Sequence, residues 1–261
     1  MLQEVGLGPR SLADYTHICG RPLIEEIREL AEPLQGSRIL HMSATAFGGG
    51  VSEILYALVP LMRDVGIDVH WQVILGREEF FNVTKVLHNS LQGAPQSLTT
   101  EQLEIFDRYN LLNAMGLEDG WDIAVVHDPQ PVQIRNHAPD RARHWIWRCH
   151  IDLSTPNPDS IAMLLPYLSD YDATLWHVAD YVPDAYKGNV WIVPPAIDPL
   201  SPKNMALSPE DASFVCEQFG IDTDRPLVCQ VSSLHIWSVS PLPLVPQSRR
   251  TGEGTGPQRE R

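Results

Sequence analysis

Residues that could do chemistry occur where apolar runs of this chain stop. The first place is residues 37–53, SRILHMSATAFGGGVSE, where Gly48, Gly49 and Gly50 follow a short apolar run. A strand, a glycine turn and a helix in this order bring backbone N–H groups close to an anion or a sugar hydroxyl. The stretch is neither G-x-G-x-x-G nor a Walker loop, which argues against dinucleotide and nucleoside triphosphate sites. A tight turn without a ligand explains the glycines about equally well.

Two further strand ends carry histidine and aspartate. The stretch VVHDPQP contains His127 and Asp128, and the stretch WRCHIDLS contains His150 and Asp152. Ligands of open parallel sheets bind outside the carboxyl ends of the strands. We therefore expect the glycine turn and these two strand ends to face one cleft.

Each of these residues also has a purely structural explanation. Asp128 precedes Pro129 and could initiate a turn. Asp152 could brace the loop before the next helix, and His150 could be a core histidine with satisfied hydrogen bonds. The coincidence of all three strand ends favours the functional interpretation.

The elements that must position these residues alternate between strand and helix. Alternating or continuous apolar runs predict strands, and apolar residues three and four apart predict helices. Strands separated by helices indicate an α/β fold, a Rossmann-like parallel sheet with helices on both faces. The predicted strands are 38–42, 68–75, 122–127, 144–149, 173–178, 190–193 and 226–231, and the predicted helices are 22–34, 51–62, 80–91, 99–115, 159–168 and 209–219.

Composition narrows the function classes. A formal net charge of −14 argues against a general nucleic-acid binder, since phosphate contacts need clustered Lys and Arg. The four cysteines form no C-x-x-C pair, which is typical of buried thiols in a reducing compartment. Neither a signal peptide nor an apolar run long enough to cross a bilayer is visible. We expect a cytoplasmic protein without membrane or nucleic-acid partners.

Most of the chain, from about residue 37 to residue 232, resembles a known family. It is similar to the N-terminal half of the GT-B glycosyltransferases of family 4, and within them to the trehalose synthases, which join nucleotide-activated glucose to free glucose. FFNVTK, HDPQP and RCHIDLS together are specific, whereas the triple glycine alone is not. The matching stretches are GGGVSEILYALVPLMRDVGI, EEFFNVTKVLHNSLQG, VVHDPQP, WRCHIDLS, PPAIDPLSPKN and VCQVS.

The resemblance implies roles for individual residues. Asp128 would be the acidic residue of the sugar-binding strand end, and His150 would hold a hydroxyl of the transferred glucose, so these two are the catalytic candidates. The glycines from Gly48 to Gly50 would face the diphosphate and sugar of the donor.

The resemblance assigns substrate binding also to His127, Gln130, Arg148, Asp152, Phe81, Asn82 and Lys85. Arg148 and Asp152 would orient the strand end that carries His150. The last three would face an acceptor, although the packing of an amphipathic helix also explains them.

The reaction implied by the resemblance is glucosyl transfer with retention, through a transition state like an oxocarbenium ion. Positioning and stabilisation of the departing diphosphate would do the catalysis, without a protein nucleophile. The resemblance implies no cofactor and no metal, with a nucleotide-activated glucose as the donor substrate. Partners would be small-molecule sugars and, as in many trehalose synthases, a second copy of the chain.

The chain departs from the family pattern near its C-terminal end. After the apolar run PLVCQV the family carries an Arg and a Lys, but this chain has Ser233 and Ser238 there. The remaining residues are rich in proline and glycine and lack periodicity, which predicts disorder and suggests an altered reading frame.

These observations predict four segments. They are a helical N-terminal extension (1–36), a Rossmann-like acceptor-side domain (37–200), an interdomain segment with the first strand of a missing donor domain (201–231), and a disordered, aberrant tail (232–261). We expect an incomplete and inactive fragment of a trehalose-synthase-like enzyme. A non-catalytic sugar-binding or dimerising module is the main alternative. A nicotinamide-dependent epimerase or dehydrogenase is the weakest, because the fingerprint glycines are missing.

Overall fold

The computed structural model describes residues 2–223 and 225, which belong to one compact unit, Met1–Arg225. No helix of these described residues is both long and apolar enough to span a membrane. The predicted strand 226–231 and the predicted disordered tail 232–261 lie outside the described residues. The strands are β1 Gln3–Glu4, β2 Arg38–Ser43, β3 Asp68–Val73, β4 Trp121–His127, β5 Ala142–Arg148, β6 Ala173–Trp176 and β7 Val190–Ile192. The α-helices are α1 Thr16–Cys19, α2 Arg21–Ala31, α3 Gly50–Asp64, α4 Glu78–Leu91, α5 Thr100–Met115, α6 Ile134–His137, α7 Pro158–Leu168 and α8 Pro209–Gln218.

The strands form one sheet in the order β1-β3-β2-β4-β5-β6-β7. All neighbouring pairs from β3 to β7 are parallel, which confirms the predicted parallel sheet. The exception is β1, which pairs antiparallel with β3 through Gln3 and Val73. This strand was not predicted, because two residues are too few to show a period.

Each face of the sheet is covered by helices and has its own core. On one face, Leu40 and Val126 pack in a cluster with residues of α4, α5 and α7. On the other face, Val69 and Trp71 pack with residues of α2 and α3. Burial on both faces explains why the strands read as continuous apolar runs. The prediction of helices on both faces is confirmed.

The predicted helix boundaries lie within a few residues of the observed ones. The clearest case is α5, which is predicted over residues 99–115. Thr99 is the N-cap: its hydroxyl accepts the backbone N–H of Gln102, whose side chain accepts the N–H of Thr99. This reciprocal capping box satisfies two N–H groups that the first turn leaves free.

The turn between β2 and α3 needs glycine for its backbone conformation. Gly48 has a φ of 69° and Gly49 a φ of 95° with a ψ of 164°, and Gly49 is the N-cap of α3. A Cβ at any of the three glycines would meet no atom within 4 Å, so crowding by the protein is not the reason. The conformation of Gly49 is one that essentially only glycine adopts. Gly50 is already helical and carries no such constraint.

We predict that Gly49→Ala and Gly50→Ala differ in stability. Gly49→Ala should lower the free energy of unfolding by roughly 1–3 kcal/mol, because alanine is strained at this φ and ψ. Gly50→Ala, the matched control at the first helical position, should be neutral or slightly stabilising. Urea denaturation followed by circular dichroism measures both values. Equal losses in the two variants would contradict the conformational explanation.

Candidate active site

Four histidines lie on neighbouring strands at or near the carboxyl edge of the sheet, and we call them the histidine row: His41, His127, His150 and His177. Nδ1 of His41 lies 2.9 Å from Nε2 of His127, and Nδ1 of His127 lies 2.8 Å from Nε2 of His150. The ring of His177 meets the ring of His150 edge-on, with centroids 5.2 Å apart. The row therefore runs from β2 through β4 and β5 to β6.

Strand register explains why His41 and His127 meet. His41 is opposite Val125, and His127 is opposite Arg148. Since residues in register share a face and alternate residues point the same way, His41, His127 and Arg148 lie on the same side of the sheet. This is the side that packs against α3, because Val125 belongs to that core.

The histidines of the row are uncharged at neutral pH. Burial lowers the pKa of His41 to about 4 and that of His150 to about 3. Burial also lowers the pKa of His127 well below its usual value, and lowers that of His177. The Arg148 guanidinium adds to the effect at each ring, since a nearby cation disfavours a second positive charge. Each ring can therefore donate one hydrogen bond and accept one.

Asp128 ties the end of β4 to the end of β5. Its φ is 65°, the one positive φ at a residue other than glycine among the described residues. Its backbone N–H donates to the carbonyl of Arg148 (2.9 Å), and its carboxylate accepts the backbone N–H of His150 (2.8 Å). Its carbonyl accepts Nε1–H of Trp147 at 2.9 Å. Asp128 thus holds the backbone of His150 in place, while its contact with a ligand stays a prediction.

Opposing effects act on the pKa of the Asp128 carboxyl. Burial raises the pKa of its carboxyl to about 7, while the N–H of His150 and the guanidinium of Arg148 act in the opposite direction. Arg148 is itself buried, and its Nε has no hydrogen-bond partner among the described residues. A buried cation and a buried carboxyl therefore lie beside the row.

Two further candidates have contacts of a structural kind. Asp152 is exposed and accepts the backbone N–H of Ser154 at 2.8 Å, which fits the interpretation of a loop brace. The carbonyl of Gln130 accepts Nδ2–H of Asn110, whereas the side-chain oxygen of Gln130 is buried without a partner among the described residues.

The acceptor candidates Phe81, Asn82 and Lys85 lie on exposed positions of α4. Phe81 packs edge-on against Phe80, with ring centroids 5.5 Å apart. Within the described part of the chain, no hydrogen bond, ion pair or ring contact joins these three residues to the histidine row. Their assignment to substrate binding stays a prediction.

The glycines follow β2 at the same sheet edge as the histidine row, but no hydrogen bond among the described residues connects the two. Gly50 instead lines a cavity of about 370 Å³ with Glu53 and residues 195–198. The structure therefore brings the residues of the β4 and β5 ends into contact, and places the glycines at the end of the neighbouring strand.

Sequence reasoning missed two members of the row. His41 was counted in the apolar run of the first strand, and His177 was included in the predicted strand 173–178. A signal was present, since each is a polar residue inside or directly after an apolar strand run. Periodicity alone could not use it, because the contacts depend on which strands become neighbours.

We predict that the contacts of Asp128 matter for stability more than its charge. Asp128→Ala should lower the free energy of unfolding by roughly 2–4 kcal/mol, since it leaves the N–H of His150 unpaired and strains a residue with positive φ. Asp128→Asn keeps an acceptor oxygen and tolerates this φ, so it should cost less than about 1 kcal/mol. Urea denaturation of both variants at pH 7 measures the difference. A loss in Asp128→Asn as large as in Asp128→Ala would show that the charge is what counts.

Acid should destabilise the fold between about pH 6.5 and pH 4. In this range His41, His127 and His150 bind protons in the unfolded state but stay unprotonated in the folded state. The free energy of unfolding therefore falls as the pH falls. Asp128 acts with the opposite sign, because its raised pKa lets the folded state bind the extra proton. Three histidines outweigh one aspartate, and the net sign is acid destabilisation.

The variant His41→Phe should flatten this pH dependence. The variant lacks one imidazole that is protonated only in the unfolded state. The slope of the free energy of unfolding against pH should therefore fall by up to about 1.4 kcal/mol per pH unit. His144→Phe, at an exposed position of β5, is the matched control for the loss of an imidazole and should change the slope less than His41→Phe does. Urea denaturation at pH 7.0 and pH 5.5 gives the slopes. Equal slopes for all three proteins would contradict the buried neutral state of His41.

Comparisons with known proteins identify the family of this chain. A family model described as "Trehalose synthase, N-terminal domain" matches residues 41–183, which include His41, His127, His150 and His177. The chain is 48% identical to the trehalose synthase of Rubrobacter xylanophilus over 98% of its own length and 63% of that protein. It is 44% identical to the trehalose synthase of Thermococcus litoralis over 89% of its own length and 57% of that protein.

A solved structure shows the same fold. It is described as trehalose-6-phosphate from E. coli bound with UDP-2-fluoro glucose, and it superposes with a TM-score of 0.51 at 16% identity. The superposition covers 70% of this chain and 55% of that chain, which confirms the predicted α/β fold of the GT-B type. The chain spans about six-tenths of the length of the curated relatives it matches. It belongs to the family whose model is described as trehalose synthase, N-terminal domain.

Proposed function

We propose that this chain forms the sugar-facing half of a retaining glucosyltransferase, which transfers glucose from a nucleotide-activated donor to free glucose and yields trehalose. The observation that carries the proposal is the fixed position of His150. Asp128 holds its backbone and His127 contacts its ring, at the sheet edge where α/β folds bind ligands. This arrangement lies inside the region that matches the trehalose synthase family.

The chemistry of His150 suits a sugar hydroxyl. Its ring is neutral at pH 7, because burial lowers its pKa to about 3. Its Nε2 faces His127, and its Nδ1 makes no hydrogen bond among the described residues. A neutral ring with one nitrogen left over can exchange a hydrogen bond with a hydroxyl without introducing charge.

The glycine turn suits the diphosphate of the donor. Gly49 and Gly50 begin α3, a helix of 15 residues whose first N–H groups lack partners within the helix. Such an N-terminus carries a partial positive charge and attracts phosphate oxygens. Since the three glycines have no side chains, a ligand can approach the backbone closely.

In the proposed mechanism, the chain orients the donor and does not attack it. The anomeric carbon develops positive charge as its bond to the nucleotide diphosphate breaks. The acceptor hydroxyl forms the new bond from the same face, and its proton passes to the departing diphosphate. Holding a hydroxyl at His150 and the diphosphate at the glycine turn fixes the geometry of this step. Bringing two substrates together in the right orientation accounts for a large part of the activation barrier, so this positioning lowers it. Protein dipoles lower the barrier further where they point at the charges that develop in the transition state, which are positive at the anomeric carbon and negative on the diphosphate.

We further propose that the 261-residue polypeptide, tested alone, binds sugar but does not transfer it at a useful rate. The relatives that it matches are considerably longer, since the chain spans 63% and 57% of two of them. A cytoplasmic location, sugar partners and assembly with a second copy belong to the same proposal. A non-catalytic sugar-binding module predicts the same binding, without trehalose formation in any assembly.

Calorimetry with the intact chain tests the binding part. Glucose, trehalose, UDP-glucose and ADP-glucose are titrated separately, and at least one should bind in the millimolar range. His150→Ala should weaken that binding about tenfold, the effect of one lost hydrogen bond. His144→Ala, an exposed histidine of the same strand, should bind like the unmodified chain. Failure of all four ligands to bind would overturn the proposal.

Chromatography tests the transfer part. The chain is incubated with either nucleotide glucose and free glucose, and the products are separated. We expect no trehalose above the control without protein. Trehalose formed by the chain would contradict the proposed lack of activity, and would at the same time support the proposed reaction.

A further inference from the structure

His41 is a buried polar residue whose side chain makes a hydrogen bond to His127. His41 lies inside β2 between Leu40 and Met42 and is 5% exposed, a position where an apolar side chain is expected. Its Nε2 is buried with no hydrogen-bond partner among the described residues. A buried polar atom without a partner destabilises a fold. The hydrogen bond of Nδ1 to His127 is the contact that an apolar residue could not make.

Two hydrogen bonds in series link His41 to the candidate catalytic residue. The first joins Nδ1 of His41 to Nε2 of His127, and the second joins Nδ1 of His127 to Nε2 of His150. Each ring is neutral, and a neutral imidazole bears one proton, so one nitrogen donates and the other accepts. The state of one ring therefore restricts the state of the next.

Only two arrangements satisfy both bonds. If His41 donates from Nδ1, then His127 accepts at Nε2 and donates from Nδ1, and His150 accepts at Nε2 and carries its proton on Nδ1. In the opposite direction, all three rings carry the proton on Nε2. A mixed arrangement places two N–H groups or two lone pairs against each other at less than 3 Å.

We propose that His41 is a positioning residue that acts through His127, so that His41, His127 and His150 always carry their protons on the same ring nitrogen. The row thereby decides whether Nδ1 of His150 offers a donor or an acceptor to a bound hydroxyl. His41 itself touches no ligand in this scheme. The coupling of the three rings stands without any ligand, whereas its effect on sugar rests on the proposed function.

Nitrogen-15 spectroscopy of the intact chain tests the coupling directly. Correlations between ring carbon-bound protons and ring nitrogens at pH 7.5 distinguish an Nδ1–H ring from an Nε2–H ring. We expect the same assignment for His41, His127 and His150. Different assignments for neighbouring rings of the unmodified chain would overturn the proposal, and this measurement needs neither a variant nor a ligand.

A matched pair of variants tests the role of His41. His41→Phe keeps an aromatic ring and removes the nitrogens, and it should change the ratio of the two proton positions on His150 about two- to tenfold, the worth of one hydrogen bond. His177→Phe keeps the ring contact with His150, which involves no hydrogen bond, and should leave the ratio unchanged. If His41 served only to fill space, phenylalanine would replace it and the ratio would stay the same. An unchanged ratio in His41→Phe would therefore overturn the positioning role.

The sugar titration separates this proposal from the proposed function. If glucose binds, any change in the proton position of His150 should appear equally in His41, which lies inside the sheet. If no sugar binds while the three rings share one assignment, the proposed function fails and the coupling stands. If sugar binds and changes His150 alone, the coupling fails and the proposed function stands.

Discussion

The hydrogen bond from the backbone N–H of His150 to the carboxylate of Asp128 is the contact on which the candidate site depends. It joins the ends of β4 and β5 beyond their last register pair, His127 and Arg148. It requires a left-handed backbone at Asp128, a conformation that costs of order 1–3 kcal/mol in a residue with a side chain. Three hydrogen bonds of Asp128 to Arg148, Trp147 and His150 offset this strain.

The packing of the rest of the fold compensates for the unfavourable features of this site. Two apolar cores, one on each face of the sheet, hold the strands in register, and His41 and His127 of the row are buried. The row itself contains unfavourable features, namely unpartnered nitrogens on His41 and His177 within the described residues, and a guanidinium with an unpaired Nε on Arg148. Local disadvantages of this kind concentrate at functional sites, where packing elsewhere compensates for them.

The sequence was most informative where structure is local. Periodicity predicted the strands and helices, and the predicted first residue of α5, Thr99, is its N-cap. The convergence of Asp128 and His150 was also predictable, because parallel strands end at one edge. His41 could not be found in this way, since its contact with His127 depends on β2 and β4 being neighbours although β3 lies between them in the chain. The strand β1 was missed for a different reason, since its two residues are too few to show a period.

The electrostatics of the row indicate what this chain contributes to a reaction. Its histidines are neutral, and the charge of Arg148 lies beside Asp128, whose pKa of about 7 leaves its carboxyl partly ionised. Such a cluster has little net charge to offer a departing diphosphate, but it holds donors and acceptors in fixed directions. Fixed directions are what a hexose requires, because its hydroxyls differ in orientation and not in charge. In the proposed reaction, the histidine row would therefore be better suited to orienting a sugar than to stabilising a leaving group. The diphosphate would instead meet backbone N–H groups at the start of α3.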